Sequence, residues 1–366
     1  MNDQLTTLQQ TVLEACAQRR PLAIVGGGSK SFYGREIVGE PLSTQAYQGV
    51  VSYEPTELVL TVRAGTPLVD VISLLDEQGQ MLGFEPPVYS VGTTIGGAIA
   101  SGLSGPIRPF SGSARDFVLG MKVLTGEGKI MSFGGQVMKN VAGFDVSRLM
   151  VGALGTLGVI LDISLKVLPK PFAQMTLRLD QPDAGEAITQ MNHLCGKPWP
   201  ISALAWLDGA VWLRLSGTSQ GIAHAHHHIG GDKIDQEDEF WRALNQQTHS
   251  FFQQSGQLIR ASVSPDLPAV FGDGANVKAF DQIIDWGGAL RWVHRPDLDE
   301  QEQRDQVQVV STIEQCGGSA TVFRGQDRQG DVFTQLSDAA MAIHKNLKNT
   351  FDPQGILNAG RLYAEL

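Results

Sequence analysis

Several residue patterns are missing from this 366-residue chain, and each absence excludes a class of function. Cysteine is scarce: Cys16, Cys195 and Cys316 stand far apart and form no CxxC pair. Three thiols suit a reducing compartment and fall short of the four thiolates of a usual iron–sulfur cluster, so a cluster serving this protein must sit on another chain. Positive charge is outweighed, with 28 Lys and Arg against 38 Asp and Glu for a net charge of −10. No basic field is available to attract phosphate backbones or anionic lipid, and nucleic acid is not expected as a partner. No apolar run approaches the ~18 residues of a spanning helix. The opening residues, 1–10, lack the basic and apolar regions of a signal peptide, so the expected location is cytoplasmic. Histidine is absent before His193. His224, His226, His227 and His228 cluster later, but no HExxH or carboxylate pattern accompanies them; they read as a solvated helix face, and no metal site is expected.

Two nucleotide fingerprints are missing as well. A β-like run over 21–25 leads into Gly26, Gly27, Gly28, Ser29 and Lys30, yet Ser31 stands where the third glycine of GxGxxG belongs, and no GxxxxGK[ST] can be written there. What remains is a run of small residues whose amides can converge on an anion, or a structural turn.

What the chain does contain is ordinary globular composition, 42% hydrophobic and 18% charged, in a length that suits two domains by the soft rule of ~100–200 residues each. Of 42 glycines, 24 fall in the first 170 positions and 15 of those between Gly92 and Gly158. Such density points to main chain packed closely around a ligand, with a turn-rich β domain as the alternative. Leu5, Leu8, Val12 and Cys16 predict a helix over 3–19 capped by Asp3, and Thr66-Pro67 a second capped helix ending at Gly79. Strands fit 58–64, 117–124 and 159–168. After Lys170-Pro171 glycine thins and Gln, Trp and His increase, which places a boundary at 170. Beyond it, 201–207 and 211–215 flank Asp208-Gly209 as a hairpin, and helices fit 236–253, 299–316 and 333–350, giving a smaller antiparallel sheet with helices on one side.

The densest signal runs from Pro86 and Pro87 through Ser90, Gly92, Thr93, Thr94, Ile95, Gly96 and Gly97 to Ser101, Gly102, Ser104 and Gly105. The order TIGGxxAxGxxG, then GSxRDxVLG from Gly112, then GTLGVI from Gly155, closely resembles the FAD domain of the vanillyl-alcohol-oxidase and p-cresol-methylhydroxylase (PCMH) superfamily over residues 20–170. The resemblance implies an α+β protein: a PCMH-type FAD-binding domain of two subdomains over 1–170, and an antiparallel α+β cap over 171–344. The tail from Phe351 to Arg361 resembles FDPxGxLNPGR, with Ala359 at the proline, and implies that 345–366 rejoin the first domain. Carried over residue by residue, Gly26, Gly27, Gly28, Ser29 and Lys30, with Pro87, Ser90, Thr94, Ile95, Gly96 and Gly97, would hold the pyrophosphate region. Ser101, Gly102 and Gly105 would lie under the ring or ribityl chain, Ser113, Gly158, Val159 and Ile160 near the adenine or ring edge, and Asn358 would return to the flavin.

Gln136, Met138, Lys139, Asn140, Gly143, Phe144, Asp145 and Arg148 look like the E-subunit family of bacterial glycolate oxidases. That resemblance implies a non-covalent FAD, since no loop histidine exists to tether the ring, and a small 2-hydroxy acid as substrate. It also implies a sister FAD-linked catalytic subunit and an iron–sulfur subunit as partners, through which the complex would touch the inner membrane. Oxidising a 2-hydroxy acid needs a cation for the carboxylate and a base for the hydroxyl proton. Arg291 and His294 are the nearest candidates, an Arg and a His on one strand being also commonplace, and no catalytic residue is assigned. Two other readings fit the same motifs: a structural subunit whose sister chain does the chemistry, and a self-sufficient FAD-linked oxidase of another alcohol.

Overall fold

The computed structural model describes residues 2–135, 145–235, 237–268, 281–295, 310–325 and 327–366. The motif residues 136–144 and most of the expected helix 299–316 lie outside this set; of the latter, 310–315 are helical. The fold is α+β with two compact units, one of 1–104, 112–170 and 328–366, the other of 105–111 and 171–327. The return of the tail thus begins at Arg328 rather than 345, and the short stretch Gly105–Ser111 belongs to the second unit.

The first unit is built on an antiparallel five-stranded sheet in the order Val50–Glu54, Val59–Arg63, Val159–Lys166, Val118–Leu124, Ile130–Gly134. The central strand is buried over Val159–Leu165; its apolar residues meet cover on both faces, while Asp162 is buried with Tyr47 and Lys122 as partners and Ser164 with Thr61. One face carries Leu68, Val71 and Leu75 of helix Leu68–Asp76 together with Ile95, Ala98 and Ile99 of helix Ile95–Ser101. The other packs Leu8, Val12 and Ala15 of helix Asn2–Gln18 against Leu124, Val159 and Leu161. Two expected caps are corrected: the first helix already includes Asp3 in its opening turn, and Thr66 is engaged elsewhere. Its hydroxyl donates to the Arg63 carbonyl (2.8 Å) and accepts the Gly49 amide (2.9 Å), leaving Pro67 at the cap position without a side-chain bond.

A short parallel pair, Leu22–Val25 and Glu40–Ser43, completes the unit, and the C-terminal tail lies beside it through a bridge between Leu22 and Leu357. Helix Asp338–Phe351 delivers that tail. At its end Lys348 Nζ donates to the carbonyls of Thr156 (2.8 Å) and Leu357 (2.7 Å) and pairs with Asp352 (2.8 Å). Asp352 in turn accepts the amides of Ile356 (3.1 Å) and Leu357 (2.8 Å).

The second unit holds eight antiparallel strands in the order Asp232–Ile234, Ala173–Asp180, Ala210–Gly217, Ile201–Leu207, Gln282–Asp285, Leu290–Arg295, Gln257–Ser262, Ser319–Arg324. Its sheet is therefore the larger of the two, contrary to expectation. The hairpin closes at Asp208 (φ 52°) and Gly209 (φ 69°), the left-handed pair that a two-residue turn with the right twist demands. Helices also cover both faces. Helices Ala184–Cys195 and Ser219–Ile229 pack on Leu177, Val211, Leu213 and Leu215. On the opposite face, helix Glu237–Asn245 stacks Phe240 on Trp212 (4.0 Å between centroids) and donates from Trp241 Nε1 to Thr176 (2.9 Å).

Removing one partner of a buried pair strands the other without solvent. The Lys348→Met variant is expected to lose about 3–5 kcal/mol of unfolding free energy, read from urea denaturation of the purified chain; a loss below ~1 kcal/mol would show that the pair does not hold the tail.

Candidate cofactor site

The parallel strand Leu22–Val25 ends in the 26–30 loop, which meets the 90–94 loop with almost no clearance. A Cβ on Gly27 would overlap the Gly92 carbonyl, and Gly28 turns at φ +69°, so neither position suits a larger residue. Thr93 Oγ1 donates to Ser29 Oγ (2.9 Å) and accepts the Ser90 amide (3.3 Å), which fastens the two loops. Thr94 caps helix Ile95–Ser101 by accepting the Gly97 amide (3.2 Å).

These elements wall a cavity of about 310 Å³, lined by residues 23–31, Glu36, Ile37, Thr94, Gly97, Ala100, Ser101, Leu154, Arg328, Asn358 and Arg361, all within the first unit. The amides of Gly27, Gly28, Ser29 and Lys30 donate to no acceptor among the described residues. Four consecutive amides with no internal acceptor are a nest-like donor set of the kind that takes an anion. Beside them Lys30 Nζ is buried without a hydrogen-bond partner, 5.5 Å from the Tyr89 ring centroid, and burial lowers its pKa to about 8. Arg361 donates to the carbonyls of Arg35 (2.9 Å), Lys30 (3.3 Å) and Ser31 (3.2 Å); burial, then the charge of Arg328, brings it down to about 10. Arg328 donates to the Ser31 carbonyl. An anion entering the cavity would find the 27–30 amides and the Lys30 ammonium as donors without an acceptor, and the dianionic diphosphate of a dinucleotide matches that set.

Of the residues expected at the cofactor, the cavity brings together Gly26, Gly27, Gly28, Ser29, Lys30, Thr94, Gly97, Ser101 and Asn358. The others lie outside its lining. The Ile95 and Gly96 amides bond to the Thr66 and Ala64 carbonyls (3.0 and 2.8 Å), which tie the helix to the sheet. Pro87 is buried, Ser90 braces Thr93, and Gly102 closes its helix at φ +63°. Ser113 forms a capping box with Asp116. Val159 and Ile160 sit in the sheet and Gly158 directly precedes it, a Cβ on Gly158 being blocked by Val123. Gly105 accepts the Trp286 indole N–H (3.0 Å) within the second unit. Asn358 lines the cavity but is fully engaged: Oδ1 accepts the Ile24 amide (2.7 Å) and Nδ2 donates to the Leu154 carbonyl (2.6 Å). Arg328, Glu36, Ile37 and Leu154 carried no signal in the sequence; Arg361 did, as the last residue of the tail motif.

The two groups considered for catalysis are not brought together. Arg291 and His294 stand on one strand with odd separation and so on opposite faces. The Arg291 guanidinium donates to the carbonyls of Gly288 (2.9 Å) and Leu267 (2.8 Å), and burial lowers it to about 10. His294 is buried edge-on to Phe251 (6.2 Å).

Comparison with known proteins puts the 26–30 loop and the 94–101 segment inside an FAD binding domain. The FAD binding domain family matches residues 3–134, and the C-terminal domain of FAD linked oxidases matches residues 239–362. Glycolate oxidase subunit GlcE of Escherichia coli (strain K12) is 43% identical over 364 residues, covering 100% of this chain and 99% of that one. The chain belongs to the GlcE family of glycolate oxidase subunits. Glycolate oxidase subunit GlcD of Bacillus subtilis (strain 168) is 24% identical over 407 residues, 97% of this chain and 86% of that one. The p-cresol methylhydroxylase structure with substrate bound superposes with a TM-score of 0.75 at 14% identity, over 98% of this chain and 87% of that one, which places the GlcE family in the PCMH-type fold. The nest of the GlcE-family chain therefore lies in an FAD binding domain, and its cofactor is FAD.

A methyl group at Gly27 has no room without parting the two loops. Gly27→Ala is expected to purify with normal far-UV circular dichroism and little or no 450 nm absorbance; a full complement of FAD would show that the 26–30 loop is not part of the site.

Proposed function

We propose that this chain is the FAD-binding subunit of a glycolate or related 2-hydroxy-acid dehydrogenase complex, with its FAD held non-covalently by the first unit, including its returning C-terminal tail, and with the second unit as the cap domain. The observation that carries the reading is the set of four free amides beside an unpartnered Lys30 in an FAD binding domain, joined to full-length similarity to a glycolate oxidase subunit. The absence of any histidine before His193 supports dissociable FAD.

Within the site, the nest amides and Lys30 would hold the diphosphate, with Ser29 and Thr94 adding hydroxyls. Gly97 and Ser101 leave room along the helix, and Asn358 fixes the tail against Ile24 and Leu154. When bound, the flavin supplies the two-electron acceptor for the hydrogen at C2 of the hydroxy acid. With three separate free cysteines, electrons would leave through partners: a sister FAD-linked subunit of the GlcD type and an iron–sulfur subunit. No helix among the described residues is long and apolar enough to cross a membrane, which is compatible with a cytoplasmic subunit that meets the inner membrane through those partners.

One observation favours a second reading. The Arg291 guanidinium is committed to two backbone carbonyls and His294 lies on the other face of its strand, so this strand offers no carboxylate clamp paired with a base. That arrangement suits a subunit that keeps FAD while the sister chain oxidises the substrate.

The visible spectrum of the purified chain separates the two. Anaerobic glycolate or D-lactate is expected to bleach the 450 nm band, with acid precipitation releasing FAD into the supernatant. Bound FAD that stays oxidised would favour the structural subunit, and a preparation unable to bind flavin would refute both.

A further inference from the structure

We propose that the Lys30 ammonium is the charge partner of the FAD diphosphate, and that it takes up its proton from solvent as the cofactor binds. This inference rests on the cavity being the FAD site. The geometry singles out Lys30 among the cations there. Arg361 is tied to the carbonyls of Arg35, Lys30 and Ser31, Arg328 to that of Ser31, and neighbouring Arg35 to those of Gly330 and Gly360. Lys30 Nζ is the cavity-lining cation left buried with no acceptor among the described residues.

The surroundings of that ammonium lower its charge rather than hold it. Nζ is buried away from water, and Glu36, the carboxylate in the lining, is exposed and makes no ion pair with it; the Tyr89 ring at 5.5 Å favours the cation, but only weakly beside that burial. Desolvation brings the group from its ordinary 10.5 to about 8. A bound diphosphate would reverse the balance, since its two negative charges favour the ammonium and supply the acceptors that Nζ lacks.

The sign follows from linkage. Below about pH 8 the group is charged with or without the cofactor, so binding is insensitive to pH. Above it, the empty site holds a neutral amine and the loaded site an ammonium. Binding then consumes a proton, and affinity falls by up to about tenfold per pH unit until the loaded site itself titrates.

The test is calorimetric titration of the full-length apoprotein with FAD at about pH 7 and about pH 9, each in two buffers of different ionisation enthalpy, which reads protons taken up per FAD. The expected result is almost none at the lower pH and close to one at the higher. Lys30→Arg, charged throughout, should keep tight binding and lose the uptake. Lys30→Met should lose the uptake and bind FAD roughly tenfold to a hundredfold more weakly at the lower pH. ADP should reproduce the proton uptake and riboflavin should not. Normal FAD binding with no uptake at the higher pH, uptake that persists in Lys30→Met, or the same uptake with riboflavin would each overturn the assignment to Lys30. No FAD binding at either pH would overturn the cofactor reading and this inference with it.

Discussion

Taking an ammonium and a carboxylate out of water costs several kcal/mol per ion unless every remaining lone pair and proton finds a partner. Lys348 and Asp352 are both buried, and each is satisfied: the ammonium by two carbonyls and the carboxylate, the carboxylate by the ammonium and two amides. Burial alone would push the Lys348 ammonium toward the neutral form, and Asp352 opposes that. The partners come from three places: the last turn of helix Asp338–Phe351, the Thr156 carbonyl of the 152–156 loop, and the 356–357 segment. The path of the tail satisfies all of them. That path sets Leu357 beside Leu22 and presents Asn358 to Ile24 and Leu154, which are walls of the cavity. The shape of the cavity thus depends on a tail held by an ion pair that lies outside its lining.

The opposite wall depends on the absence of side chains. The 26–30 and 90–94 loops can share one surface because Gly27 and Gly92 let the main chains meet, while Ile95 and Gly96 hand their amides to the sheet and fix the helix behind. The amides of residues 27–30 have no internal acceptor and face an accessible cavity, where water or a ligand must complete them. The buried, unpaired Lys30 obeys the same logic with a full charge in place of a dipole.

The motif order made the fold legible because glycine, capping residues and apolar runs are local signals. The 159–168 run became the central strand, and Asp208-Gly209 closed its hairpin. What local signals miss is the partner across space. Thr66 reads as a helix cap, yet Gly49 and Arg63 reach it first. The aromatic pair Phe240 and Trp241 gives no hint that it covers the second face of a sheet, because alternation along Ala173–Asp180 does not say what lies on each side. At the site, loop residues 26–30 and Thr94 were readable from their motif, whereas Arg328 joins the cavity only through tertiary folding. Ile95, Gly96, Gly158 and Val159 belong to the same signature but lie outside the cavity lining, and the Ile95 and Gly96 amides are spent on carbonyls beside the sheet.

The chain as a whole bears a net charge of −10, which would repel a dianionic dinucleotide if binding were governed by the long-range field. Yet the cavity lining holds Lys30, Arg328 and Arg361 against the single carboxylate of Glu36. Because exposed charges are screened beyond about 8 Å at physiological ionic strength, the distant acidic surface has little say inside a partly enclosed site, where short-range donors act in a medium of low polarity. Recognition of the anion is therefore local. It should depend weakly on surface charge and strongly on whether the nest, the tail and the Lys30 ammonium are in register.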